Sequence, residues 1–143
     1  MPRVGIIGAG QLGMMLGEAA AALDVECVFL DPAGDPPATG RGDIIRAQFD
    51  DARALSRLAD DVDVITYEFE NVPVDSLEPL AARTAVYPPL NALRQAQDRL
   101  LEKQQFADLG IPLPMWRPVD SEADLQAAAN ELGFPLVVKT RRF

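Results

Sequence analysis

Residues 3–13 read Arg-Val-Gly-Ile-Ile-Gly-Ala-Gly-Gln-Leu-Gly. A short apolar strand, Arg3 to Ile7, runs into a turn with glycine at positions 8, 10 and 13, and an Ala-rich helical stretch, Gln11 to Leu23, leaves it. Each glycine in a G-x-G-x-x-G turn between strand and helix has a physical use. Gly8 permits the tight turn, Gly10 has no side chain to block a phosphate, and Gly13 lets the helix approach the sheet closely. The helix then begins with N–H groups that have no partner within it and with the positive end of its dipole, a favourable place for an anion. The spacing by itself implies a phosphate near a strand-to-helix turn and no more. Tight packing alone would use the same glycines.

The pattern continues along the chain. Val25 to Leu30 is a second apolar strand, closed by Asp31-Pro32, and Ala33 to Gly42 is a Pro- and Gly-rich loop. Ile44-Ile45 is a short third strand. Asp51 to Leu58 is helical, with Ala54, Leu55 and Leu58 on one face. Val62 to Thr66 is a fourth strand, Val74 to Ala82 a helix, and Ala85 to Tyr87 a fifth strand. Strands that are apolar throughout and alternate with helices belong to a parallel sheet buried on both faces. The expected fold is therefore α/β, a Rossmann-like parallel sheet with helices on both faces. After Pro88-Pro89 the character changes, which sets a first domain at residues 1–90 and a second segment at 91–143. Asn91 is positioned to cap one long helix reaching Leu109, ended by Gly110 and Pro112. Trp116 to Val119 is extended. Ser121 caps a helix to Leu132 with Gly133 as its stop, and Leu136 to Thr140 is a last strand.

Composition removes several functions. The 143 residues contain no histidine, so Ser-His-Asp catalysis and His-ligated zinc are excluded. Cys27 is the sole cysteine, allows no internal disulfide, and sits in a strand as a small hydrophobe. A formal net charge of −9 argues against a nucleic-acid partner. The apolar runs are far too short for a membrane span. With no signal-peptide layout at the N-terminus, the expected location is the cytoplasm.

Two acidic positions decide what the glycine turn serves. Asp31, ending the second strand, either grips ribose hydroxyls as in a dinucleotide site or is a turn residue ahead of Pro32. Thr66-Tyr67-Glu68-Phe69-Glu70-Asn71 follows the fourth strand. In an open parallel sheet ligands lie beyond the carboxyl ends of the strands, where the order reverses, so this segment and the glycine turn should flank one crevice. Carboxylates beside an NAD pyrophosphate would repel it. Beside a ligand carrying both phosphate and amine, Glu68 would hold the amine. The alternative is that Glu68 and Glu70 are solvated loop acids. In an extended segment both would point to one face, and only one need touch ligand.

Taken together, Gly8-Ala9-Gly10-Gln11-Leu12-Gly13-Met14-Met15, Thr66 to Val72, Gln97-Asp98-Arg99 with Lys103, and Val138-Lys139-Thr140-Arg141-Arg142 resemble the N5-carboxyaminoimidazole ribonucleotide synthetases of the ATP-grasp superfamily. The resemblance implies a Rossmann-like domain ahead of the ATP-grasp domain, then the beginning of that domain. It implies ATP-dependent joining of bicarbonate to the amino group of 5-aminoimidazole ribonucleotide, with Mg²⁺ on the ATP phosphates and a homodimer as the assembled enzyme. By resemblance Gly10, Gln11 and Leu12 lie at the ribonucleotide phosphate or its neighbourhood, Glu68 and with it Glu70 hold the ribonucleotide, and Arg99 and Lys139 contact ATP. In the family the Lys-Thr-Arg-Arg strand is followed by a Gly-Tyr-Asp-Gly-Lys-Gly type loop over the ATP phosphates, whereas this sequence ends at Phe143. Metal and bicarbonate ligands are thus expected elsewhere, with no catalytic residue and no metal ligand within these residues, and the chain alone should be inactive. Related readings are the formate-dependent glycinamide ribonucleotide transformylase, whose members tend to carry Glu where Gln11 stands, and a non-catalytic nucleotide-phosphate binding module. An NAD-dependent oxidoreductase ranks below them.

Overall fold

The computed structural model describes residues 1–142. They form two compact units, Met1–Arg94 and the residues from Gln95 onward. The first unit is a five-stranded parallel sheet in the order β3-β2-β1-β4-β5. Its strands are β1 (Arg3–Ile7), β2 (Glu26–Asp31), β3 (Asp43–Arg46), β4 (Val64–Tyr67) and β5 (Ala85–Val86). Helices α1 (Gln11–Ala21), α2 (Ala52–Asp61) and α3 (Val74–Ala81) connect them, and α4 (Leu90–Ala96) follows. The order reverses between β1 and β4, as the alternating pattern implies for a doubly wound sheet.

Side-chain alternation along the strands builds two apolar layers. Ile7, Val28, Leu30 and Ile65 point to the layer completed by Leu55, Leu58 and Leu77 of α2 and α3. Their neighbours Ile6, Cys27 and Phe29 point to the other layer, with Met14 and Ala20 of α1 packed against it. Burying each such large side chain contributes roughly 1.5–3 kcal/mol. Burial also pushes the Cys27 thiol pKa upward, which suits a packing residue and not a reactive one. Asp51 caps α2 by accepting from the N–H groups of Arg53 and Ala54.

Several element boundaries differ from expectation. The fourth strand is shifted to Val64–Tyr67, and Asp63 just ahead of it is tied to Arg3 by a pair of bonds. The Asp63 carboxylate accepts from Arg3 N–H at 2.8 Å, and Asp63 N–H donates to Arg3 C=O at 2.9 Å. This starts the ladder at Val4↔Val64. The single long helix from Asn91 to Leu109 is instead two: α4, and α5 (Arg99–Asp108). Asp98 stands between them in extended backbone and turns its carboxylate to the N–H groups of Leu100 and Leu101, starting a new helix. At the far end of α5, Gly110 adopts φ +69°. Its N–H and that of Ile111 close back onto Ala107 and Phe106 C=O, a glycine-terminated cap that explains the stop.

Leu136 to Thr140 does not form a strand. No neighbouring strand among the described residues offers it a ladder, and Val137 and Val138 are 81% and 67% exposed. The second unit otherwise holds α6 (Glu122–Leu132), capped by Ser121 and stopped at Gly133 as the sequence implies. Arg117, in the extended stretch before α6, is paired to Glu131 on it. No described helix is long and apolar enough to cross a membrane.

Candidate functional site

The carboxyl ends of β1 and β4 meet at the reversal of strand order, and two buried or half-buried carboxylates organise the turn between them. Glu68 is the first residue after β4, and its N–H donates to Ile7 C=O at 3.1 Å, extending the β1–β4 pairing by one step. Phe69 packs inward, edge-on to Phe49 with ring centroids 5.1 Å apart, and Val72 is fully buried. These apolar anchors bend the chain directly after Tyr67. The segment is therefore a turn and not the extended run expected, so Glu68 and Glu70 do not share a strand face; Glu70 is exposed.

The bend delivers the Glu68 side chain to the glycine turn. One carboxylate oxygen accepts from Gly10 N–H at 2.8 Å, and the other accepts from Gly13 N–H. Gly10 is the N-cap of α1 and has no side chain of its own to cap with. Glu68 supplies that cap from another strand, placing a negative charge on the positive end of α1. The glycine turn and Glu68 are thus in direct contact, where the sequence suggested opposite walls of an open crevice. Gln11 and Leu12 begin α1 and are exposed.

Asp31 holds the turn from the other side. It is only 9% exposed, and its two oxygens accept from Ala9 N–H and Ala33 N–H, each at 2.8 Å. The turn reading of Asp31 is correct but incomplete, because one of its bonds reaches the glycine turn. Gly8 N–H donates to Leu30 C=O at 2.9 Å, and Ala38 N–H donates to Ala9 C=O at 3.0 Å, which tucks the Ala33–Gly42 loop beneath the turn. The turn amides of Gly10 and Gly13 are thus taken by Glu68, and both oxygens of the acid after β2 accept from backbone.

In the second unit, Arg99 opens α5 and is half-buried, while Lys139 is exposed on the segment that follows α6. The connection between these two regions is Asp98, a motif member to which the sequence assigned no role. Asp98 is 6% exposed and receives Arg141 through Nη2 at 2.6 Å and Nε at 3.1 Å. Arg99 N–H donates to Arg141 C=O at 3.0 Å, so the two motifs are joined by backbone as well. The guanidinium of Arg141 is the main cause that lowers the Asp98 pKa, with help from the helix N–H groups. Asp98 between Gln97 and Arg99, and Arg141 two residues past Lys139, were legible as motif members; their pairing was not. A shallow groove of about 400 Å³ also lies in this unit, lined by Ala107, Ile111, Leu113, Met115 and Trp116 among others, and contains none of the expected site residues. Among the described residues no group of three or more His, Cys, Asp or Glu side chains is placed to hold a metal ion.

Comparison with known proteins gives this geometry a family. A family model described as the ribonucleotide synthetase preATP-grasp domain matches residues 1–97. The N5-carboxyaminoimidazole ribonucleotide synthase of Pseudomonas aeruginosa is 48% identical over 139 residues, covering 97% of this chain and 39% of the relative. A crystal structure of the Staphylococcus aureus N5-carboxyaminoimidazole synthetase with ADP superposes at a TM-score of 0.94, with 36% identity over 99% of this chain and 38% of that one. The Aspergillus clavatus N5-carboxyaminoimidazole synthase, solved with ADP and 5-aminoimidazole ribonucleotide, superposes at 0.82 with 31% identity, over 94% of this chain and 37% of that one. The chain spans about two-fifths of the length of these relatives. It belongs to the N5-carboxyaminoimidazole ribonucleotide synthase family, of which it carries the preATP-grasp domain and the residues that follow it.

Proposed function

We propose that the chain supplies the ribonucleotide side of an ATP-dependent ligase that carboxylates the amino group of 5-aminoimidazole ribonucleotide with bicarbonate, in purine biosynthesis. The observation that carries this reading is the placement of Glu68, an acceptor fixed by backbone at the switch point of a sheet whose relatives include an enzyme solved with that ribonucleotide. Residues 1–90 form the Rossmann-like domain of the enzyme and residues 91–143 begin its ATP-grasp domain. Gly10, Gln11 and Leu12 border the ribonucleotide, Glu68 accepts from its amine or a hydroxyl, and the exposed Glu70 stands at the rim. Arg99 and Lys139 contact ATP. The cytoplasmic setting, the homodimer and the Mg²⁺ that would neutralise ATP phosphate charge belong to the same proposal for the whole enzyme.

The chemistry explains the division of labour. Bicarbonate is a poor electrophile; transfer of the ATP γ-phosphoryl group to one of its oxygens makes carboxyphosphate and releases ADP. The amine then attacks the carboxyl carbon, phosphate leaves, and the amine proton is lost. Positioning and charge placement supply most of the help a protein gives such a reaction. This chain's share is to hold the amine-bearing partner still. A chimera in which this chain replaces the matching N-terminal region of the Pseudomonas aeruginosa synthase tests the proposal. It should release ADP in a manner dependent on both the ribonucleotide and bicarbonate. A folded chimera that binds ATP but ignores the ribonucleotide would count against it.

A further inference from the structure

The glycines of the turn are shaped around one side chain. A Cβ built on Gly10 would lie 2.8 Å from a Glu68 carboxylate oxygen, and its three nearest neighbours are all atoms of that carboxylate. A Cβ on Gly13 would lie 2.8 Å from the other Glu68 oxygen. A Cβ on Gly8 would meet Glu68 as well, although Gly8 also needs glycine for its φ of +102°. Gly10 has no such need. Its φ of −73° is open to any L residue, and Ser, Thr, Asp or Asn would be the usual choice for an N-cap. Gly13 sits in the first turn of a helix, where alanine is the better helix former. Local conformation does not account for Gly10, where room for Glu68 does; at Gly13 a Cβ would crowd both Glu68 and, at 3.1 Å, the Gly8 backbone carbonyl.

We infer that Gly10 and Gly13 are positioning residues that act through Glu68: the G-x-G-x-x-G turn is a cradle for a resident carboxylate, closed to ligand phosphate, and presents Glu68 to a ligand group that donates hydrogen bonds. The physical consequence is a change of ligand polarity at an unchanged turn. With Glu68 absent, the Gly10 and Gly13 amides and the α1 dipole would favour an anion. With Glu68 in place, those amides are spent and the charge facing outward is negative. Each carboxylate oxygen can accept a second hydrogen bond, so an amine or hydroxyl is accepted and a phosphate is repelled. The phosphate of a ribonucleotide must therefore lie away from the turn amides. The identity of the ligand rests on the proposal above; the cradle does not, and the two are tested separately.

The test uses the chain itself. Gly10→Ala and Glu68→Ala should each lower the urea unfolding midpoint, and the double variant should fall no further than the lower of the two, because both remove the same bonds. Additive losses, or a Gly10→Ala variant as stable as the parent, would overturn the cradle. In a second measurement, isotope-labelled chain is titrated with inorganic phosphate while the Gly10 and Gly13 amide resonances are followed. In the parent they should stay fixed, and in Glu68→Ala they should move. Movement in the parent equal to that in the variant would show an open phosphate turn and sink the inference. Should Glu68→Ala fail to fold, the parent titration and Gly10→Ala still decide it. Failure of the chimera to act on the ribonucleotide, with these results intact, would remove the proposed substrate and leave the cradle standing.

Discussion

Asp31 and Glu68 show how a carboxylate at the end of a parallel strand can serve structure before it serves ligand. Asp31→Ala strips the partner from the buried Ala9 N–H, and we expect a loss of roughly 1–3 kcal/mol, read by urea unfolding. A loss within a few tenths of a kcal/mol would mean water replaces the carboxylate freely. In the chimeric enzyme, Glu68→Gln should weaken the ribonucleotide about ten- to a hundredfold and leave ATP nearly unchanged, as removal of one charge-assisted bond would. Equal weakening of both ligands would point to general damage. Asp98 offers a pH test. Arg141 holds its folded pKa below the ordinary carboxylate value, so its contribution is present above the unfolded pKa and is lost as pH falls through the folded one. Asp98→Asn should flatten that acid-side loss of stability. An unchanged slope in the variant would assign the acid sensitivity to other carboxylates.

Elements differ in how far the sequence disclosed them. The strands of the first unit were legible because each is a continuous apolar run, and their parallel order followed from the helices between them. The site was half legible. Gly10 and Glu68 stood out as residues, but the turn after β4 depends on Phe69 finding Phe49, a tertiary contact that no local pattern reports. The break between α4 and α5 was missed for a similar reason. Asp98 in a polar helical stretch reads as a surface residue until Arg141, distant in sequence, closes on it. The segment Leu136 to Thr140 has strand composition, but no strand among the described residues pairs with it, so it forms no strand. The second unit buries few apolar side chains; α5 buries none and α6 only Ala128. Amides from Arg99 to Thr140 should therefore exchange faster with solvent than those of β1 and β4. Uniformly slow exchange in a monomeric sample would contradict this.

Taken as one chain, the protein carries the preATP-grasp domain and two residues proposed for ATP, but no described cluster that could hold a metal ion. We expect no ribonucleotide-dependent ADP release from the purified 143 residues with ATP and bicarbonate. Measurable release would place the full machinery within them. The family assignment and the ligand polarity of the turn converge on a single choice between a phosphoribosyl amine and a dinucleotide. Titrating the labelled chain with 5-aminoimidazole ribonucleotide and with NAD, while following the amides from Gly8 to Gly13 and from Glu68 to Val72, makes that choice directly. The ribonucleotide should perturb both segments, Glu68→Gln should abolish most of the response, and NAD should leave them still. Tight binding of NAD that is destroyed by Asp31→Ala and indifferent to Glu68→Gln would contradict the ligase reading of this site.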